Sequence, residues 1–178
     1  MAPVSRLGQQ ITQAISILNA VGARYALIGG LALASYKVVR ATQDVDLLTE
    51  AEKANDIEAA LLKMGYRKLH RSADAANYIR GDERLDLLYA SRPIARQLLA
   101  NACSSNTSLG DVRVVSAEGL IGFKLQALVN DPRRTQDLQD IRALLRANRA
   151  DLDLEQVRGY FRLFERESLL DELLAEIN

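Results

Sequence analysis

The chain has 178 residues, of which 48% are hydrophobic and 26% are charged, and this composition is typical of a single globular domain with its own core. Its 23 Lys and Arg residues balance 23 Asp and Glu residues, so the net charge gives no indication of a nucleic-acid-binding protein. A single cysteine, Cys103, excludes an internal disulfide, and no apolar run has the length of a signal peptide or a membrane span, so we expect a cytoplasmic protein.

The first half of the sequence predicts alternating helices and strands. Apolar residues recur at helical spacing from Leu7 to Val21, and Gly22 ends the pattern. Gly81-Asp82 separates two short apolar runs, which is the pattern of a β-hairpin. In chain order we expect a helix over 7–21, a strand over 25–28, a short helix over 31–36, a strand over 45–48, a helix over 57–64 and two strands over 77–80 and 84–89.

Helical patterns dominate after Pro93. Ser116 is placed to cap the start of a helix, and Asp131-Pro132 interrupts that helix near its end. In chain order we expect a helix over 94–102, a polar loop over 104–108, a strand over 112–115, helices over 117–129 and 135–147, and one or two amphipathic helices from residue 154 onwards. The pattern predicts an α/β (α+β) protein, with a mixed sheet flanked by helices over 1–115 and a C-terminal helical segment over 116–178.

Two aspartates share one face of the strand predicted over 45–48. Because side chains alternate along a strand, Asp44 and Asp46 point the same way, about 6.5 Å apart, while Val45 and Leu47 face the core. Two carboxylates held in this way repel each other unless a cation lies between them. Oxygen ligands at this spacing suit Mg²⁺, with Mn²⁺ as an alternative, so the sequence predicts a metal site here.

A third aspartate lies in the same local pattern. Asp86-Leu87-Leu88 repeats the tripeptide Asp46-Leu47-Leu48, so a neighbouring strand would add Asp86 to the same face. Three carboxylates on adjacent strands make a two-metal site for in-line phosphoryl transfer feasible. Asp86 is also a candidate general base, and the predicted catalytic and metal-binding set is Asp44, Asp46 and Asp86.

Two glycines, Gly29 and Gly30, separate the first strand from the short helix. Backbone amides at the start of a helix bind phosphate groups, and we expect a positive φ at Gly30 to open the backbone for this contact. A glycine pair by itself is more often a tight turn, and an Asp-x-Asp pattern by itself is more often a cap or a turn. Their combination with Asp86 favours nucleotide chemistry.

The segment from Gly29 to Leu47 carries a family resemblance. In it, Gly-Gly-x-Ala-Leu is followed by Arg-x-Thr-x-Asp-x-Asp-Leu. This pattern resembles the signature of the DNA polymerase beta-type nucleotidyltransferase superfamily, and it is most similar to the AbiE-type toxin nucleotidyltransferases and related domains. The specific match covers about 20 residues and is weaker between Asp86 and Asp140.

The resemblance implies a nucleotidyltransferase fold and the Mg²⁺-dependent transfer of a nucleoside monophosphate from an NTP, such as ATP, to a hydroxyl group. It implies phosphate binding by Gly29 and Gly30, metal binding by Asp44 and Asp46, and completion of the site by Asp86. It also implies that the helical segment closes over the nucleotide. A toxin of this kind would act on tRNA or a protein and would have a cognate antitoxin as its partner.

One lysine lies in an otherwise uncharged stretch of the helical segment. Lys124 is the only charged residue between Gly119 and Asn130, so its ammonium either snorkels to solvent or reaches an anion. The resemblance implies that Lys124 contacts the triphosphate and that Asp137 also belongs to the nucleotide site. Gln136 replaces the lysine that often precedes such an aspartate in the family.

Further polar residues have two interpretations each. Arg40 and Thr42 directly precede the metal strand and either contact phosphate or cap the turn. Arg67, Lys68 and Arg71 form a basic cluster that either touches a nucleic acid or is a solvated sheet edge.

Three functional hypotheses follow from these residues. The first is a nucleotidyltransferase with a macromolecular acceptor, and the second is a small-molecule enzyme that adenylylates an antibiotic hydroxyl. The third is a catalytically silent module that binds a nucleotide or a partner. His70 is the only histidine, which disfavours histidine metal clusters and Ser-His hydrolysis.

Overall fold

The computed structural model describes residues 5–177 and divides the chain into two compact units. The first unit comprises the residues up to Ala32 together with Ala41–Val115. The second comprises Leu33–Arg40 together with the residues from Ser116 onwards. None of the helices within 5–177 combines the length and the apolar character needed to cross a membrane.

The first unit contains a mixed sheet of seven strands in the order β3-β4-β5-β2-β1-β7-β6. At its centre, β2 pairs in parallel with β5 and antiparallel with β1, and β1 pairs in parallel with β7. The strands are β1 Tyr25–Ile28, β2 Asp44–Thr49, β3 Arg67–Arg71, β4 Ala75–Arg80, β5 Glu83–Tyr89, β6 Cys103–Thr107 and β7 Gly110–Val114.

One face of this sheet packs against α3 in an apolar core. The helices of the first unit are α1 Arg6–Ala20, α2 Gly29–Ala32, α3 Ala54–Lys63 and α4 Pro93–Ala100, with a 3₁₀ turn at Ala51–Lys53. Val45 and Leu85 are fully buried, and Tyr78, which pairs with Leu85, reaches Glu58 of α3 through its hydroxyl. Because side chains alternate along each strand, α3 lies on the face opposite to Asp86.

The second unit consists of a 3₁₀ turn at Leu33–Tyr36 and four helices, α5 Ala117–Asn130, α6 Thr135–Asn148, α7 Leu154–Leu163 and α8 Glu167–Glu176. Ser116 caps α5, as predicted, because its hydroxyl accepts a hydrogen bond from the amide of Gly119. Asn148 of α6 donates from its side chain to the carbonyl of Tyr36, which ties the 3₁₀ turn to the helices of this unit.

Most predicted elements are confirmed, but the loop predicted over 104–108 is wrong. Residues Cys103–Thr107 form β6, which pairs antiparallel with β7 from Cys103 opposite Val114 to Thr107 opposite Gly110. No strand was predicted where β3 forms. In β3, Lys68 and Arg71 both pair with Glu58, so two side chains of the basic cluster already have partners within the protein, as at a solvated sheet edge.

Candidate active site

The three predicted aspartates lie on one face of two neighbouring strands. The parallel register of β2 and β5 places Asp46 beside Asp86, and it places Asp44 beside Arg84. The three carboxyl-bearing residues are half-buried, whereas Val45 between the first two is fully buried on the opposite face. The prediction that a neighbouring strand brings Asp86 to the face of Asp44 and Asp46 is confirmed.

Gly29 brings the backbone into close contact with this carboxylate face. β1 runs antiparallel to β2 with Ile28 opposite Asp46, so the chain passes directly over the Asp46 side chain as it leaves β1. Gly29 has φ +67°, and a Cβ there would lie 2.6 Å from Cγ and 2.7 Å from Cβ of Asp46. Both the left-handed backbone and the close approach therefore require glycine.

The expectation of a positive φ at Gly30 is wrong, since the left-handed residue of the pair is Gly29. Gly30 is buried inside α2, which begins at Gly29 rather than at Leu31. The turn out of β1 has one left-handed residue, and Gly29 supplies it at the first position of α2. The start of α2 consequently lies against the Asp46 side chain.

Gly29→Ala is expected to lower the free energy of unfolding more than Gly81→Ala does. Both glycines have a positive φ, +67° and +62°, so alanine at either one loses about 1–2 kcal/mol to the left-handed backbone. Within 5–177, no atom beyond the chain neighbours lies within 4 Å of a Cβ at Gly81, whereas Asp46 occupies that space at Gly29. The overlap adds roughly 1–3 kcal/mol. Urea unfolding measures both losses, and equal losses would contradict the close approach.

An asparagine that the sequence analysis missed contacts the third aspartate. Asn77 of β4 lies directly opposite Asp86 of β5, and its Nδ2 donates to Oδ1 of Asp86 at 2.7 Å. The turn predicted at Gly81-Asp82 is enough to identify this pair from the sequence. A two-residue turn pairs Arg80 with Glu83, and counting back along both strands then pairs Asn77 with Asp86.

The donor chemistry of the carboxylate face fits Mg²⁺, which prefers oxygen ligands and retains several waters. The side chains as they stand do not converge: within residues 5–177, no three His, Cys, Asp or Glu side chains form a group that could hold a metal ion. Adjacent strands lie about 4.8 Å apart, so rotation of the Asp46 side chain is enough to bring its carboxylate to that of Asp86. The metal-binding roles of Asp44, Asp46 and Asp86 stay predictions.

In the second unit, Lys124 is the centre of a buried ion cluster. It is 6% exposed, and its Nζ lies 3.1 Å from Oδ1 of Asp137 and 2.6 Å from Oδ2 of Asp140. The interpretation that Lys124 snorkels to solvent is therefore wrong. Its ammonium does reach anions, but they are the carboxylates of α6.

Other cations and an amide complete the Lys124 cluster. Arg40 donates from Nε to both oxygens of Asp140 at 3.1 and 3.2 Å, and Gln136 donates to the same carboxylate at 3.0 Å. Arg134 donates from Nε to Asp137 at 2.5 Å. Arg40 thus pairs with a carboxylate of its own unit, while Thr42 is half-buried just before β2. The nucleotide contacts expected of Arg40, Thr42, Lys124 and Asp137 stay predictions.

The cluster changes the ionisation of its most buried carboxyl group. Burial raises the pKa of Asp140, but the hydrogen bond and positive charge of Lys124, with hydrogen bonds from Gln136 and Arg40, outweigh burial and hold the pKa below its ordinary value. Asp140 therefore carries its negative charge at neutral pH. The lysine and this carboxylate are a true ion pair within the second unit.

No protein-family model matches the sequence, and no curated protein is significantly similar to it. Solved structures do match the fold. The chain is similar to ANT(2″)-Ia in complex with adenylyl-2″-tobramycin, with a TM-score of 0.69 and 19% identity over 90% of this chain and 98% of that chain.

Two further structures match most of their own length. The lincosamide antibiotic adenylyltransferase LnuA, bound to lincomycin, has a TM-score of 0.59 and 14% identity over 79% of this chain and 96% of that chain. A proposed nucleotidyltransferase from Thermotoga maritima has a TM-score of 0.54 and 14% identity over 74% of this chain and 89% of that chain. At these identities the likeness is one of fold, and the chain has the nucleotidyltransferase fold.

Proposed function

We propose that this protein transfers a nucleoside monophosphate from an NTP to a hydroxyl group of an acceptor and releases pyrophosphate. The observation that carries the proposal is the placement of Asp46 beside Asp86, with the backbone at Gly29 against the Asp46 side chain. Phosphate-binding amides next to a row of carboxylates are what triphosphate chemistry requires. The fold shared with adenylyltransferases supports the same reaction class.

Each residue of the carboxylate face has a role in the proposed reaction. The amides of Gly29 and Gly30 bind phosphate oxygens, and Asp44, Asp46 and Asp86 would hold Mg²⁺. When bound, the metal supplies positive charge that offsets the charge of the triphosphate. The acceptor oxygen forms a bond to the α-phosphorus as the bond from that phosphorus to the bridging oxygen breaks. Asp86 takes the proton from the acceptor hydroxyl, and pyrophosphate carries away the electron pair.

Two classes of acceptor each have an observation in their favour. The Gly29–Leu47 pattern resembles AbiE-type toxins, which supports a macromolecular acceptor such as tRNA or a protein. The likeness to two antibiotic adenylyltransferases supports a small molecule with a free hydroxyl. A silent module is the weaker hypothesis, because the three aspartates and Gly29 form one continuous surface of the kind the reaction requires.

A transfer screen tests the proposed function and separates the two acceptor classes. The protein is incubated with each of the four NTPs, labelled at the α-phosphate, and Mg²⁺. Parallel reactions contain tRNA, total cell protein, aminoglycosides or lincosamides. Label that enters an RNA or protein band supports the macromolecular acceptor, and label that enters a small product supports the antibiotic. Absence of label from every acceptor class, with intact nucleotide throughout, would contradict the proposal.

Millimolar Mg²⁺ is expected to raise the melting temperature of the protein, because the metal binds the folded carboxylate face and not the unfolded chain. At a concentration of about 100 times the Kd, such binding stabilises the fold by about 2.7 kcal/mol. Asp44→Asn should remove most of this shift, since it removes one predicted oxygen ligand and one negative charge.

The control for the Mg²⁺ experiment is Asp111→Asn, which removes an exposed carboxylate of the same sheet on β7. Thermal melts of the parent and both variants are recorded in EDTA and in Mg²⁺. The Asp111→Asn protein should keep the full Mg²⁺ shift. An equal shift in the Asp44→Asn protein would show that the metal does not bind at the carboxylate face.

A further inference from the structure

Asn77, Asp86 and Asp46 form a row across three neighbouring strands, β4, β5 and β2. The register of β4 with β5 sets Asn77 opposite Asp86, and the register of β5 with β2 sets Asp86 beside Asp46. All three residues are half-buried, while Ala76 and Tyr78 on either side of Asn77 are fully buried on the opposite face. The amide of Asn77 therefore belongs to the carboxylate face.

The side chain of Asp86 has a carboxylate on one side and an amide on the other. On one side is the carboxylate of Asp46, and like charges directly opposite each other repel. On the other side, Nδ2 of Asn77 donates a hydrogen bond of 2.7 Å to Oδ1 of Asp86. This bond draws Oδ1 towards β4 and limits rotation of the carboxylate. Because a carboxylate has two oxygens, Asp86 can still accept a proton at Oδ2 while Oδ1 accepts the hydrogen bond from Asn77.

We propose that Asn77 is a positioning residue that fixes the carboxylate of Asp86 for the transfer reaction. The inference rests on the proposed function, in which Asp86 accepts the proton of the acceptor hydroxyl. Asn77 acts through Asp86 and does not itself touch the nucleotide. Polar partners of this kind, which orient a ligating or reacting carboxylate, typically account for 10- to 100-fold in metal affinity or activity.

The same sheet contains a matched control for the Asn77–Asp86 pair. Asn106 of β6 lies opposite Asp111 of β7, and its Nδ2 donates to Oδ1 of Asp111 at 2.8 Å. Both of these residues are exposed, and β7 and β6 lie at the opposite end of the strand order from β4. Asn106→Ala thus removes a hydrogen bond of the same type and nearly the same length, away from the carboxylate face.

The kinetic test compares Asn77→Ala, Asn77→Asp and Asn106→Ala with the parent. Asn77→Ala should lower kcat about 10-fold and leave the KM for the NTP within about twofold, because a positioning residue acts on the chemical step. Asn77→Asp keeps the shape of the side chain but replaces the donor by a fourth carboxylate on the carboxylate face, so it should lower kcat further. Asn106→Ala should match the parent. A parent-like kcat in Asn77→Ala would overturn the proposal.

Two further measurements separate positioning from a purely structural role. In the background of Asp86→Ala, Asn77→Ala should change kcat no further, since its target is absent. Calorimetric titration with Mn²⁺ should show about 10-fold weaker binding in Asn77→Ala and no change in Asn106→Ala. Additive losses in the double variant, or unchanged Mn²⁺ binding, would contradict positioning. A parent that transfers no label contradicts the proposed function, and the Mn²⁺ titration then decides the positioning role by itself.

Discussion

Lys124→Met is expected to lower the free energy of unfolding by about 3 kcal/mol, because it leaves two buried carboxylates without the cation they share. Asp137 and Asp140 are both nearly inaccessible to solvent and lie 3.1 and 2.6 Å from the ammonium. In the variant, Asp137 keeps its ion pair with Arg134, and Asp140 keeps its ion pair with Arg40. We therefore expect a loss of unfolding free energy at the lower end of the range for removing one partner of a buried ion pair. Urea unfolding of the parent and the variant measures it.

An exposed lysine pair in the first unit is the control for this prediction. Lys68 lies 2.8 Å from Glu58, but the lysine side chain is 43% exposed. Lys68→Met should therefore lower the free energy of unfolding by less than about 1 kcal/mol. Equal losses in the two variants would show that burial does not strengthen the Lys124 cluster.

The pH dependence of stability gives a second test of the Lys124 cluster. The folded pKa of Asp140 is held below its ordinary value, so the stability from its ionised form is present above the unfolded pKa, about 3.9. That stability is lost as the pH falls through the lower folded pKa. The difference between the parent and Lys124→Met should therefore be largest at neutral pH and shrink in acid. A difference that is constant with pH would contradict the ion-pair assignment.

Asp46→Asn is expected to lower the rate of nucleotidyl transfer by roughly 10²–10³-fold, as the loss of a central electrostatic contributor does at other active sites. Its side chain lies beside Asp86 and against the backbone at Gly29, so it is at the centre of the carboxylate face. Asp86→Asn should lower the rate by about 10²–10⁴-fold, because it removes the proposed proton acceptor.

A lower transfer rate in these variants must be distinguished from a loss of folded protein. Each variant is therefore assayed below its own melting temperature, and its far-UV circular dichroism is compared with that of the parent. Asp111→Asn serves again as the control for removal of a carboxylate from the sheet, and its rate should equal that of the parent. A rate in Asp46→Asn within about tenfold of the parent would remove Asp46 from the catalytic set.

The two strands that the sequence did not predict, β3 and β6, are the two edges of the sheet. Sequence patterns reveal strands whose side chains alternate between a core and solvent. β2 alternates in this way over its first four residues, whereas β1 is a short continuous apolar run whose predicted bounds match the observed ones. In β3 and β6 most side chains are polar and exposed. These strands pair with their neighbours through backbone hydrogen bonds, which do not depend on side-chain type and so cannot be predicted from the residue pattern.

The candidate site was predictable where it depends on strand periodicity, and not where it depends on packing between elements. The repeated Asp-Leu-Leu tripeptide predicted that Asp46 and Asp86 share a face, and the strand register confirms it. A sequence cannot tell which glycine of a pair takes the left-handed backbone, because that depends on the path of the chain over Asp46. The partners of Lys124 lie on the next helix, and only the packing of α5 against α6 defines them.

The proposed reaction at the carboxylate face moves a nucleoside monophosphate and not a phosphate. The most direct measurement compares one NTP labelled at the α-phosphate with the same NTP labelled at the γ-phosphate, each incubated with the acceptor from the transfer screen. We predict that the α-label enters the acceptor, that the γ-label is released as pyrophosphate, and that Asp46→Asn lowers the rate of both events by roughly 10²–10³-fold. Entry of the γ-label into the acceptor, or transfer of the α-label by Asp46→Asn at the rate of the parent, would contradict the claim.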